Sequence, residues 1–71
     1  MEVVSTTDRS REGNDCYIYE SVSLVMQFDM YAVIVCQQVT GWSTAESVTV
    51  QCVTKDYKQA KKAYKHCGGI L

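Results

Sequence analysis

The stretch Tyr31-Ala32-Val33-Ile34-Val35-Cys36 decides the fold of this 71-residue chain. It is a short strand-like run whose side chains are apolar on both faces of an extended backbone. The chain contains one helical pattern, and a single helix covers only one face of a small sheet. A strand that is apolar on both sides therefore needs a second cover. A second copy of the chain, a partner protein or the N-terminal segment could supply it.

The residues before this run alternate between apolar and polar side chains. Alternation with a period of two is typical of a half-buried strand, and we predict one from Tyr17 to Phe28. Its apolar side chains fall on one face, and they are Val22, Leu24, Met26 and Phe28.

A two-residue turn near Asp29-Met30 would join the two strands into a hairpin. It would place Phe28 opposite Tyr31 and Leu24 opposite Val35, which puts these side chains on one face. The other face then has an apolar centre, made of Val25, Ala32, Ile34 and Cys36.

A third strand is predicted from Val48 to Val53, after a polar loop over residues 40–47. Because side chains alternate along a strand, Val48, Val50 and Cys52 are expected on one side of it.

The clearest element is a C-terminal helix. We predict that it begins at Tyr57, behind capping residues at positions 54–56, and that Gly68-Gly69 ends it in a left-handed conformation. One apolar stripe at helical spacing runs along it, formed by Tyr57, Ala60, Tyr64 and Cys67.

The N-terminal residues 5–15 are polar and lack periodicity, so we predict a mobile arm over residues 1–15, with a short edge strand conceivable at 1–4. Residues 16–71 then form one small β-β-β-α domain. The predicted fold class is α+β. It consists of a three-stranded antiparallel meander, four-stranded if residues 1–4 pair, with the helix packed on one face.

The order of these elements resembles that of many short proteins encoded by phages and mobile elements, some of which inhibit host defence systems, anti-CRISPR inhibitors among them. The resemblance covers the order of elements only. It implies an inhibitor of a host protein, such as a CRISPR effector, and it implies no site residues.

The net charge of −1 conceals an asymmetry along the chain. Residues 1–53 contain two arginines and seven acidic residues, whereas residues 54–71 contain five lysines and one aspartate. An acidic sheet region is thus followed by a basic helix, which either steers a charged partner or is simply a solvated face. We find no apolar segment of signal-peptide or membrane-spanning length and expect a cytoplasmic protein.

The four cysteines are separated by 20, 16 and 15 residues, without a Cys-x-x-Cys pair. In a chain without a secretion signal we expect free structural thiols, with disulfides or a metal site as the alternatives. No metal or other cofactor is predicted. The cysteines are Cys16, Cys36, Cys52 and Cys67.

No pattern of catalytic residues stands out. The lone histidine, His66, is adjacent to Cys67 at a helix end, where neighbouring residues do not face each other. The carboxylates are scattered over the arm, turns and loop, and no glycine-rich loop opens a helix to bind phosphate. We therefore expect neither an enzyme nor a small-molecule substrate.

Two binding hypotheses remain. The first is a protein partner or a second copy of the chain, bound by aromatic and apolar side chains of the kinds that dominate interfaces. Trp42 could instead fold over the edge of the small core. The candidate contact residues are Tyr17, Tyr19, Val25, Ile34 and Trp42.

The second hypothesis is nucleic acid bound along a lysine stripe of the helix. On a helix these side chains fall within a sector of about 120° beside the apolar stripe, and they could follow phosphates in a salt-sensitive way. A pI near 5.6 and the absence of arginine from the helix weigh against it. The lysines are Lys55, Lys58, Lys61, Lys62 and Lys65.

The function predicted from the sequence is thus a non-enzymatic protein-binding module that occupies a partner surface, alone or as a homodimer. A phage or mobile-element inhibitor would be one biological form of it, and nucleic-acid binding is the alternative.

Overall fold

Four antiparallel strands and one helix follow one another along the chain, and a computed structural model describes all of its residues, 1–71. The sheet has the strand order β1-β2-β3-β4, so every strand pairs with its neighbour in sequence. The predicted α+β meander with a C-terminal helix is confirmed, with four strands. The elements are β1 (Glu2–Gly13), β2 (Cys16–Gln27), β3 (Met30–Thr40), β4 (Ala45–Thr54) and α1 (Tyr57–His66).

The β2–β3 hairpin turns through Phe28 and Asp29, whose φ angles are both positive, at 53° and 62°. Positive φ at both central residues is the condition for a type I′ turn, whose twist matches that of the flanking strands. Met26, rather than Phe28, lies opposite Tyr31. The predicted register was wrong by two residues. Because side chains alternate with a period of two, a shift of two leaves every strand residue on its predicted face.

β1 is the main departure from the sequence prediction. Residues 5–13, predicted as part of a mobile arm, continue the strand that begins at Glu2, and they pair with β2 as far as Gly13 opposite Cys16. Their polar composition was the reason for the error. On an edge strand polar side chains can face water or hydrogen-bond a neighbouring element, so they do not need an apolar core.

A β-bulge interrupts the pairing of β3 with β4. Val33 lies opposite Cys52 and Ile34 opposite Val50, so Gln51 has no partner on β3. The extra residue reverses the alternation of β4 at this point. Val48 and Val50 therefore point to the opposite side from Cys52, and the prediction that all three share a face was wrong.

Both ends of α1 have the predicted caps. Asp56 accepts a hydrogen bond from the backbone nitrogen of Lys58 at 2.9 Å. At the other end Gly68 has a φ of 94°, and its nitrogen donates to the Lys65 carbonyl while the Gly69 nitrogen donates to the Tyr64 carbonyl. These two bonds form a Schellman motif, which satisfies carbonyls that the helix itself leaves free.

The core lies between α1 and the middle of the sheet. The predicted stripe of α1 provides it: Ala60 and Tyr64 are fully buried, Cys67 packs against them, and the Tyr57 ring lies 5.2 Å from the Tyr31 ring. We call the sheet face that packs on α1 the inner face and the opposite one the outer face. From the strands, the inner face contributes the fully buried side chains Val22, Leu24 and Val33.

The helix covers only part of the inner face. Its 10 residues extend about 15 Å, whereas a 12-residue strand extends about 40 Å, and the longest dimension of the molecule is 41 Å. The outer face has no covering element at all. No helix of the chain is long and apolar enough to span a bilayer.

Candidate functional site

The outer face contains an apolar groove at the end of the sheet nearest the β2–β3 turn. Pairing places Val25 opposite Ala32, and Ala32 opposite Val53 on the next strand, so the three side chains lie side by side. Ile34 and Val50 form the next row of the same face. The bulge at Gln51 helps to build these rows, because it turns Val50 and Val53 to the same side.

The groove has a volume of about 330 Å³, and eight of its nine lining residues are hydrophobic. Val25 lies at its floor and is only 4% exposed, whereas Val53 on its wall is 57% exposed. Contiguous exposed apolar surface of this kind on a single chain typically marks a contact site.

Phe28 is the most exposed member of the groove, at 89%. The sequence prediction assigned it to the helix-covered face, and that assignment was wrong because Phe28 occupies the turn itself. Positive φ is found mainly at glycine, asparagine and aspartate, and it is rare at a bulky residue such as phenylalanine. The sequence has no Asn-Gly or Asp-Gly at this place, so the turn predicted near Asp29-Met30 could not be placed at Phe28 and Asp29 from a local signal.

The predicted aromatic residues lie at the other end of the sheet. Tyr17 and Tyr19 are on the outer face, opposite Thr40 and Gln38. Trp42 lies in the β3–β4 loop and is 95% exposed, so it does not fold over the core. Of the five predicted contact residues the structure brings Val25 and Ile34 together in the groove region and leaves the three aromatic residues as a separate group.

Tyr19 is coupled to an acidic neighbour on the outer face. Asp8 on β1 and Tyr19 on β2 lie on neighbouring positions of the same face. The side-chain hydrogen bond with Asp8 raises the pKa of Tyr19, and partial desolvation and the negative charge of Asp8 act in the same direction.

The charged side chains that the strands place on the outer face are all acidic. Following the strand alternation, the acidic residues that point to this side are Asp8, Glu12 and Glu46. The two arginines of the sheet, Arg9 and Arg11, point to the inner side, where Arg9 binds Glu20 at 3.2 Å. The outer face thus combines an apolar groove at one end with acidic side chains toward the other end.

The five candidate lysines lie at and along α1, away from the groove. Lys61 is half-buried and the other four are exposed. None of them lies within ion-pair distance of a carboxylate, since Arg9–Glu20 is the one salt bridge of the chain. They remain available for anionic groups.

The cysteines and the histidine are dispersed. All four cysteines are free and half-buried, and no three potential metal-ligating side chains come together. His66 is exposed at the end of α1.

Comparison of the chain with protein-family models found no matching family, and comparisons with curated proteins and with solved structures found no match.

Proposed function

We propose that the chain is a protein-binding module whose outer face receives an apolar segment with basic flanks from a partner protein. The observation that carries the proposal is the uncovered groove around Val25, Ala32 and Val53, which an isolated domain leaves in contact with water. Burial of apolar surface is the principal favourable contribution to association.

The charge of the outer face supports the proposal that the partner segment has basic flanks. Asp8, Glu12 and Glu46 share the outer face with the groove and lie toward the Tyr17 and Tyr19 end of it, and no lysine or arginine of the strands points there. Electrostatic complementarity raises association rates and excludes partners of like charge. A segment with apolar side chains and flanking lysine or arginine residues fits both properties.

A displayed library of random peptides tests the proposal without knowledge of the natural partner. We expect the wild-type chain to enrich peptides that combine apolar and basic residues. A synthetic peptide of the enriched sequence should bind Ile34→Asp at least tenfold more weakly, about 1.4 kcal/mol. Val53→Asp, at a more exposed position, should show the same loss.

The matched control is Gln37→Asp, which introduces the same charge on the same strand at a half-buried position of the inner face. It should bind as the wild type does. Equal peptide binding by Ile34→Asp, Val53→Asp and wild type, with all of them folded by circular dichroism, would contradict the proposal.

Nucleic-acid binding by the lysines of α1 is the second candidate, favoured by their lack of carboxylate partners. Changing Lys58, Lys61, Lys62 and Lys65 to Glu should abolish binding of labelled DNA and RNA oligonucleotides at low salt, and wild-type affinity should fall as salt is added. Absence of any oligonucleotide binding by the wild type would rule this candidate out. An inhibitory role against a host protein stays a prediction from the sequence.

A further inference from the structure

The two edges of the sheet differ in how they are protected. β1 has charged side chains at five positions, and the segment that follows α1 lies against it: the Ile70 nitrogen donates to Thr7 Oγ1 at 2.9 Å and Arg9 donates to the Cys67 carbonyl at 3.1 Å. Charges and covering segments are the usual devices that prevent an edge strand from pairing. The charged residues of β1 are Glu2, Asp8, Arg9, Arg11 and Glu12.

β4 has almost none of this protection. Glu46 is the only charged residue in Ala45–Thr54, there is no lysine or proline, and residues 45–51 are all exposed. The run Val48-Thr49-Val50-Gln51-Cys52-Val53 is uncharged and rich in β-branched residues, which is the composition that pairs most readily with another strand. The backbone groups on its free side have no partner strand.

The occupant that fits this edge is β4 of a second copy, in antiparallel orientation. Directly opposite residues of an antiparallel pair share a face of the sheet. Because of the bulge, Val48 and Val53 share the outer face and Thr49 and Cys52 share the inner face. A two-fold axis between Val50 and Gln51 therefore matches Val48 with Val53 of the second copy.

The same two-fold pairing matches Thr49 with Cys52 of the second copy and brings Glu46 beside its Lys55. A parallel arrangement would instead place Glu46 next to Glu46 and Lys55 next to Lys55. Charge thus selects the antiparallel orientation, and a symmetric self-complementary contact closes as a dimer. Asp56, next to Lys55, is engaged in capping α1.

We infer that two copies of this chain associate through their β4 edges into a continuous eight-stranded sheet, with Val48 opposite Val53 across the two-fold axis. The two outer faces then lie on one side of this sheet. The inference does not rest on the proposed function, because it is argued from the backbone edge and the composition of β4 and not from the groove, with which it shares only Val53.

The first experiment is light scattering over a range of concentrations in reducing buffer. The wild type should reach twice the 8.0 kDa mass of the single chain. Thr49→Lys adds a charge to the β4 edge on the inner face and should raise the dissociation constant of the dimer at least tenfold. Thr6→Lys, the same change at an exposed position of the β1 edge, should leave the dimer intact.

The second experiment tests the register. Residues opposite each other at the closer pairs of an antiparallel ladder have Cα atoms about 4.5 Å apart, within the range of about 4.4–6.8 Å that a disulfide spans. Thr49→Cys should therefore form an intermolecular disulfide with native Cys52 under mild oxidation, seen as a covalent dimer on a non-reducing gel. Thr49→Cys combined with Cys52→Ser should lose that dimer.

A wild-type monomer at every concentration would overturn the inference. So would a dimer that Thr49→Lys leaves unchanged and that Ile34→Asp dissociates, because it would be held by the outer faces. If Thr49→Lys does not fold, the cross-link decides alone, and its absence from a dimeric Thr49→Cys variant would overturn the β4 pairing.

Discussion

The hydroxyl of Tyr64 lies 2.6 Å from Oγ1 of Thr7, and this contact joins α1 to β1 across 57 residues of sequence. The same hydroxyl lies 3.1 Å from Oγ of Ser5. Thr7 in turn accepts from the backbone nitrogen of Ile70 at 2.9 Å. The polar first strand is therefore attached to α1 by hydrogen bonds, in addition to its pairing with β2.

We expect Tyr64→Phe to reduce the free energy of unfolding by about 1–3 kcal/mol, because it leaves the Ser5 and Thr7 hydroxyls without their buried partner. Each kcal/mol should appear as a fall of about 4–8 °C in the melting temperature. Tyr57→Phe is the matched control. The Tyr57 hydroxyl makes no hydrogen bond, so the free energy of unfolding measured with urea should change by less than about 0.5 kcal/mol. Equal losses in the two variants would refute the role of the Tyr64 hydroxyl.

Gly68→Ala should destabilise the chain for two separable reasons. Its φ of 94° is strained for any residue with a Cβ, and that Cβ would collide with the Arg9 guanidinium. We expect the free energy of unfolding, measured with urea, to fall by more than about 1 kcal/mol.

The Arg9→Ala background separates the two causes. Removal of the guanidinium should recover part of the Gly68→Ala loss and leave the backbone strain, in a double-mutant cycle with non-zero coupling. Additive effects of Gly68→Ala and Arg9→Ala would show that the collision is relieved by movement of the flexible arginine.

Asp8→Asn should lower the pKa of Tyr19 toward the ordinary value of a tyrosine, since it removes the carboxylate that raises it. NMR titration of the tyrosine ring carbons would measure the shift, and Asp15→Asn in the β1–β2 turn is the control. A raised pKa in the folded state means that the neutral phenol is favoured by folding. The contribution of Tyr19 to the free energy of unfolding is therefore fully present below the pKa of an unfolded tyrosine. It is lost as the pH rises through the pKa of Tyr19 in the folded state. An unchanged Tyr19 titration in Asp8→Asn would contradict the assignment.

The strands with an apolar face and the capped helix could be predicted from the sequence, because their periodicity reports directly on burial. β2 and β3 were found with the right division of faces although their register was two residues off. α1 was found with both of its ends, since Asp56 and Gly68-Gly69 have strong local preferences. These are the elements in which local preference and tertiary packing agree.

The remaining features depend on contacts distant in sequence. Residues 5–13 form a strand because β2 and Tyr64 offer hydrogen-bond partners, and nothing in their own composition indicates this. The bulge at Gln51 has no local signal either, so Val53, which lines the groove, could not be assigned to the same face as Val50. Val25 and Ile34 were predicted as contact residues from β2 and β3 alone, whereas Phe28, Val50 and Val53 were missed.

The Tyr64–Thr7 contact also has a consequence for synthesis of the chain on the ribosome. The β1–β2 hairpin is made first and can pair as soon as it emerges, but Ser5, Thr7 and Arg9 meet their partners only when residues 64–70 are released. Until then the inner-face side chains of Val22, Leu24 and Val33 lack the helix that buries them. Residues 60–70 therefore complete both the core and β1, and the domain finishes folding only after these residues have left the ribosome.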